Sequence, residues 1–154
     1  MISKELSIWR AWEYLVLSEL LSNWIQCYDT GQWVWYDIVA DIDWKLIRIQ
    51  VKTTLKKIAY VKVKSPNPNK IYFFHLKRAG KWWKKFYNKW DFDFYALVCL
   101  EEKKVMYIKY DEFTNKNSVC IRDSSVIYDW KRGSWRNSWL IDNDLFIDNF
   151  IKNV

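Results

Sequence analysis

Residues 36–54 read YDIVADIDWKLIRIQVKTT, and the register of this stretch decides how the rest of the chain is arranged. A strand-like run over 36–41 carries Asp37 near its start. A short polar break follows, and a second run over 45–53 alternates polar and apolar residues. Side chains two apart on a strand share a face. Leu46, Arg48, Gln50 and Lys52 therefore lie on one face, with Ile47, Ile49 and Val51 on the other. Asp37 on the neighbouring strand completes a carboxylate–amide–ammonium cluster with Gln50 and Lys52. Desolvating such groups is costly unless they pair, so their placement in mid-sheet points to chemistry.

Composition narrows the possibilities. A chain of 154 residues, 51% hydrophobic and 28% charged, has the length and balance of a single globular domain with a proper core. A net charge of +7 suits a polyanionic partner, although solubility alone would also account for it. Twelve tryptophans suggest core or subunit-interface positions, with some free to stack on bases. Cys27, Cys99 and Cys120 are odd in number and lack a CxxC pair, which argues against a disulfide framework or a zinc ribbon. Buried thiols in a reducing, cytoplasmic compartment are expected. No apolar run reaches the length of a membrane helix, and no signal-peptide core opens the sequence. His75 is the single histidine, which rules out a two-histidine metal centre and any Ser–His–Asp triad not built on it. Three glycines are too few for a nucleotide-binding loop.

Around the central stretch, residues 3–24 have the periodicity of an amphipathic helix. Leu6, Trp9, Val16, Leu17, Leu20 and Trp24 fall on one stripe, and Ser3 is a candidate N-cap. Glu13 interrupts that stripe and must be paired, neutralised or bound to a cation. Residues 23–32 read as a connection and 33–41 as the first strand. Residues 58–64 alternate again, 65–69 with Pro66 and Pro68 form a turn, and 71–76 are a short apolar run. The basic segment 77–90 has aromatics at helical spacing, so a short helix is predicted there. Residues 92–101 read as a buried strand, 105–110 as its hairpin partner, and 145–151 as a closing helix that begins near Asp142. Lysines and arginines suited to phosphate or base contacts are Arg48, Lys56, Lys57, Lys62, Lys64, Lys77, Arg78, Lys81, Lys84, Lys85, Lys131, Arg132 and Arg136. The same residues equally suit a solvated exterior.

The acid of the YD strand followed by IQVK resembles the PD-(D/E)XK nuclease superfamily, whose second motif reads acid–X–Lys. AWEYLVLSELL is similar to the helix that delivers an additional glutamate in that family, here Glu13. The likeness extends over about residues 8–110 and includes DFYALVCLE; it is closest to the compact homing endonucleases encoded in cyanobacterial group I introns. It implies an α/β (α+β) fold with a central mixed sheet flanked by helices. Residues 1–154 then form one nuclease domain, with 111–154 serving DNA contact or oligomerisation. It further implies Asp37 as principal metal ligand, with Glu13 and the Val51 carbonyl beside it, and Lys52 as catalytic lysine. Mg2+ is the expected ion, with Mn2+ substituting and Ca2+ binding without supporting cleavage. Gln50 departs from the family acid and removes one negative charge, which either tunes metal number or marks a decayed site.

Double-stranded DNA is the implied substrate. Two strands and one site per chain require at least a dimer, and the resemblance implies a tetramer. A junction resolvase or restriction endonuclease on the same fold, and a DNA-binding domain without catalysis, remain open at this point.

Overall fold

The computed structural model describes residues 4–31, 34–55, 58–59, 70–78, 86–114, 116–122, 138–140, 146–152 and 154, with side-chain environments for all of these except 4–9, 58–59, 70, 122 and 138–140. A five-stranded mixed sheet has the order β1-β2-β3-β6-β7 and a four-stranded sheet the order β4-β5-β8-β9. The strands of the first are β1 (Gln26–Asp29), β2 (Ile38–Ile42), β3 (Lys45–Thr54), β6 (Phe94–Cys99) and β7 (Lys104–Lys109). Those of the second are β4 (Ile58–Ala59), β5 (Lys70–His75), β8 (Ser118–Arg122) and β9 (Ser138–Leu140). Two α-helices, α1 (Lys4–Ser22) and α2 (Ile147–Lys152), and a short 3-10 helix (Tyr110–Phe113) complete the described elements. β3 and β6 run parallel while β2–β3 and β6–β7 are antiparallel hairpins.

The strand alternation sorts side chains between two cores. Phe94, Ala96 and Val98 of β6, with Ile47, Ile49 and Val51 of β3, face Trp12, Val16 and Leu20 of α1 and Phe150 of α2. Tyr95, Leu97 and Cys99 face the opposite way, onto Tyr72, Phe74, Val119 and Ile121 of the second sheet. Burial on both faces explains why residues 94–99 read as a continuous apolar run. Each fully buried large side chain contributes about 1.5–3 kcal/mol relative to exposure. β8 and α2 show that parts of the segment 111–154 are built into these two cores.

Several sequence expectations are corrected. Residues 26–29, read as connection, form β1, because Cys27 packs into the core while its strand pairs with β2. The first strand starts at Ile38 rather than residue 33. Trp24 lies off the apolar stripe and is 97% exposed. The helix has ended by then: Trp24 has φ 63°, Ile25 N donates to Leu20 O at 3.0 Å and Trp24 N to Leu21 O at 3.0 Å. This is a Schellman termination with tryptophan in the position glycine usually holds. In segment 77–90, Lys77, Arg78 and residues 86–90 are not helical, and residues 79–85 lie outside the described part. β8 and β9 were unforeseen. Among the tryptophans with described side chains, Trp12 is buried whereas Trp24, Trp35, Trp44 and Trp90 are exposed, so core packing does not account for those four. The N-cap at Ser3, the turn at 65–69 and most of the 58–64 strand lie outside the described residues, as do the side chains of Leu6 and Trp9. Cys27 and Cys99 are buried, Cys120 is half-buried, and none of the three forms a disulfide. Among the described residues no helix is long and apolar enough to cross a membrane.

Candidate active site

The site arises where β3 outruns β2. Pairing between them ends at Ile38 and Ile49, whereas β3 remains paired with β6 as far as Thr54. Beyond Ile49 no described strand pairs with β3 on the β2 side, and the peptide groups there turn to other partners. Asp37 supplies one. Its carboxylate accepts the Val51 amide at 2.7 Å and also accepts a hydrogen bond from Gln50 Nε2. Gln50 Nε2 further donates to the Val51 carbonyl at 3.3 Å. Asp37 is itself clamped, since its amide donates to Ile49 O at 2.9 Å and its carbonyl accepts from Thr30 N at 3.1 Å. β1 thus holds the loop that aims the carboxylate.

Lys52, two residues beyond Gln50 on the same face, donates to the Tyr87 hydroxyl at 2.8 Å and lies near the Lys77 carbonyl at 3.5 Å. Glu13, from α1, joins Asp37, Gln50, Val51 and Lys52 in lining a cleft of about 680 Å³. The structure thus gathers all five residues singled out from the sequence motif. The cleft is also lined by Trp35, His75, Lys77, Arg78 and Tyr87. The Arg78 guanidinium stacks 3.4 Å from the Trp35 ring.

Electrostatics in the cleft follow from burial. Glu13 is pushed up to about 7, first by desolvation and then by the negative charges of Asp37 and Asp29, with Arg10 opposing. Asp37 is also raised by burial, while the Val51 amide, Lys52 and Gln50 pull it back. Lys52 is lowered to about 8 because burial disfavours the ammonium; Asp37 opposes that shift and Arg78 adds to it. Opposed shifts of an acid and a lysine in one cleft are a recognised mark of functional sites.

Other expected contacts fare differently. Arg48 is engaged within the chain, through Nη2 to Asp93 Oδ1 at 2.8 Å and Nε to Asp93 Oδ2 at 3.0 Å, and it donates to the Trp90 carbonyl. Its guanidinium is committed to tying β3 to the start of β6, which removes it from the set of free base contacts. Lys77 and Arg78 do line the cleft. The side chains of Lys56, Lys57, Lys62, Lys64, Lys81, Lys84, Lys85, Lys131, Arg132 and Arg136 lie outside the described residues. Sequence reasoning missed Tyr87, Asp93 and Arg10. Arg10 stands three residues before Glu13 on a helix, a spacing that marks neighbours. Tyr87 and Asp93 carry no such signal, since each meets its partner across 35 and 45 residues respectively.

The chain belongs to the PD-(D/E)XK endonuclease family, which residues 17–142 match; it is a nuclease by descent, and such enzymes generally use divalent metal ions, typically Mg2+. Glu13 precedes the matched segment. Among solved structures, the chain is similar in fold to a bacterial homing endonuclease, I-Ssp6803I, with 18% identity and a TM-score of 0.56. That similarity covers 81% of this chain and 79% of the other. No curated protein matches.

The donor set fits a hard divalent ion. Two carboxylates, an amide and a peptide carbonyl are all oxygen donors, the type Mg2+ prefers, and one or two carboxylates are its usual protein share. The raised Glu13 is compatible with this, because burial first and the Asp37 charge second disfavour its carboxylate, and a bound cation would offset both. Among the described residues no three His, Cys, Asp or Glu side chains cluster, so a cage built from such side chains is not formed there.

Proposed function

We propose that the protein is a Mg2+-dependent, site-specific endonuclease that hydrolyses phosphodiester bonds in double-stranded DNA, in the manner of a homing endonuclease. The observation that carries this reading is the convergence of Asp37, Gln50, the Val51 peptide and Lys52 at the edge of β3 beyond its pairing with β2, with Glu13 brought in by α1. Asp37, Glu13 and the Val51 carbonyl would hold the ion, and Gln50 would add its amide oxygen when turned over. A divalent ion bound there supplies charge neutralisation on the phosphate and a more acidic water.

The chain's own residues do the remaining work. Lys52, with its pKa lowered to about 8, has a substantial neutral fraction at mildly alkaline pH, so it orients the attacking water and accepts its proton. The water oxygen bonds to phosphorus as the bond to the leaving sugar oxygen breaks, and that oxygen takes a proton from solvent. Once protonated, Lys52 offsets the charge accumulating on the phosphate. Lys77 and Arg78 at the rim hold neighbouring phosphates.

A supercoiled plasmid incubated with Mg2+ tests the assignment. The parent nicks it, while Lys52→Ala and Asp37→Ala lose at least about 100-fold in rate with folding unchanged. Ca2+ in place of Mg2+ supports binding without cleavage, and Mn2+ restores cutting. Variants that cut like the parent sink the active-site assignment. Junction, random-duplex and intron-insertion-site substrates then separate a resolvase from a restriction or homing enzyme. Because each chain offers one such site, two-strand cleavage calls for a dimer or tetramer, to which residues 111–154 contribute alongside DNA contact. A monomer by light scattering, free and on DNA, overturns that part. The Gln50 amide also favours a second reading, a DNA-binding domain that has lost catalysis, which is the outcome if Mg2+ yields no nicks.

A further inference from the structure

Tyr87 meets Lys52 in two ways. Its hydroxyl accepts a hydrogen bond from Lys52 Nζ at 2.8 Å, and the same nitrogen lies 4.9 Å from the centre of its ring. The tyrosine has little freedom of its own. Its ring packs edge-on against Phe92 at 4.9 Å and Tyr95 at 6.4 Å, and its carbonyl accepts the Tyr110 hydroxyl at 2.6 Å. Phe92, Tyr95 and Tyr110 are themselves buried members of the core between the two sheets. A flexible four-carbon stem ending in three rotatable donors is thus held by a group anchored in the buried aromatic core.

We propose that Tyr87 is a positioning residue for the reaction, fixing the Lys52 ammonium in the cleft beside Asp37. The proposal rests on the nuclease reading of the site and adds a residue outside its acid–X–Lys motif. Without the hydroxyl, Lys52 keeps the ring beside it but loses the one side-chain acceptor found for it among the described residues. A misplacement of about 1 Å at a reacting group can lower turnover about 100-fold.

Tyr87→Phe isolates the hydroxyl, because it leaves the ring and its packing in place. Plasmid nicking is measured for the parent, Tyr87→Phe, Lys52→Ala and the double variant, with thermal melts to show that each folds. The expected result is a fall of about 10- to 100-fold in kcat for Tyr87→Phe, with KM changed less than about twofold. In the Lys52→Ala background the same substitution costs less than about twofold, since a residue acting through Lys52 has nothing left to position. Parent-like kcat, a rise in KM alone, or equal losses in both backgrounds would overturn the proposal. A parent that makes no nicks defeats the nuclease reading instead. The contact is then decided by NMR on protein carrying 13C-labelled lysine, with the Lys52 ε-methylene signal assigned by its loss in Lys52→Ala. That signal moves in Tyr87→Phe if the hydroxyl holds the ammonium, and an unmoved signal rejects the proposal.

Discussion

Gln50 is the one buried polar or charged side chain among the described residues, at 7% exposure. Its amide satisfies Asp37 and the Val51 carbonyl in the absence of a cation, something a second carboxylate could not do. Gln50→Glu places like charges side by side in a buried cleft. It should cost the metal-free protein about 2 kcal/mol and regain that loss on Mg2+ addition, as read by melting temperature with and without the ion. An equal melting point in both conditions counts against a cation site here. Glu13 makes a pH-dependent prediction. Its folded pKa of about 7 lies above its ordinary 4.5, so the folded chain keeps a proton that the unfolded chain releases between those values. Metal-free stability therefore falls as pH rises through that window. Glu13→Gln should remove about 1–2 kcal/mol of this decline, a figure discounted for a half-open side chain. Denaturant unfolding of the two proteins at pH 4.5 and 7.5 checks it, and parallel curves would reject it.

At the scale of elements, the β2–β3 hairpin sets the register that brings Asp37 opposite Gln50. Its two-residue turn is Asp43-Trp44, with φ of 50° and 65°, the positive values a type I′ turn demands. Asp tolerates that conformation, but Trp44 adopts it against the steric preference of a bulky residue while standing 97% exposed. Trp44→Gly should accordingly stabilise the fold by about 0.5–1 kcal/mol, a balance of relieved strain against glycine's greater unfolded freedom. A loss of stability in urea unfolding would mean that the indole makes a contact worth more than the strain. Either way, the hairpin depends on the turn far less than on Ile38, Ala40, Ile47 and Ile49, which the helical layer covers.

At the scale of the whole molecule, the cleft collects cations from separate parts of the chain. Lys52 comes from β3, and Lys77 and Arg78 follow β5. With a net charge of +7, DNA affinity should fall steeply with salt. Arg78→Ala should lower the slope of log affinity against log salt by about 1, and Arg48→Ala should leave it nearly unchanged, because Asp93 already neutralises that guanidinium. Fluorescence anisotropy over a salt series with Ca2+ distinguishes the two. Equal effects would return Arg48 to the DNA-contacting set.

The sequence by itself determined the local pattern of the site. Period-two alternation over residues 45–53 put Gln50 and Lys52 on one face, and a single acid inside an apolar helical stripe marked Glu13. Both are short-range signals, carried by the geometry of one strand or one helix. It also determined the buried strand, read over 92–101 and formed over Phe94–Cys99, because covering on both faces leaves an uninterrupted apolar run. Only the tertiary structure decided the rest. β1 reads as loop because three of its four side chains are exposed, and its strand character comes from hydrogen bonds to β2. Arg48 looks free in sequence and is bound by an aspartate 45 residues away. Tyr87 looks like part of a basic helix, yet the aromatic core turns its hydroxyl onto Lys52. Those outcomes depend on which surfaces meet after folding, and pairing across such distances leaves no periodic trace in the order of residues.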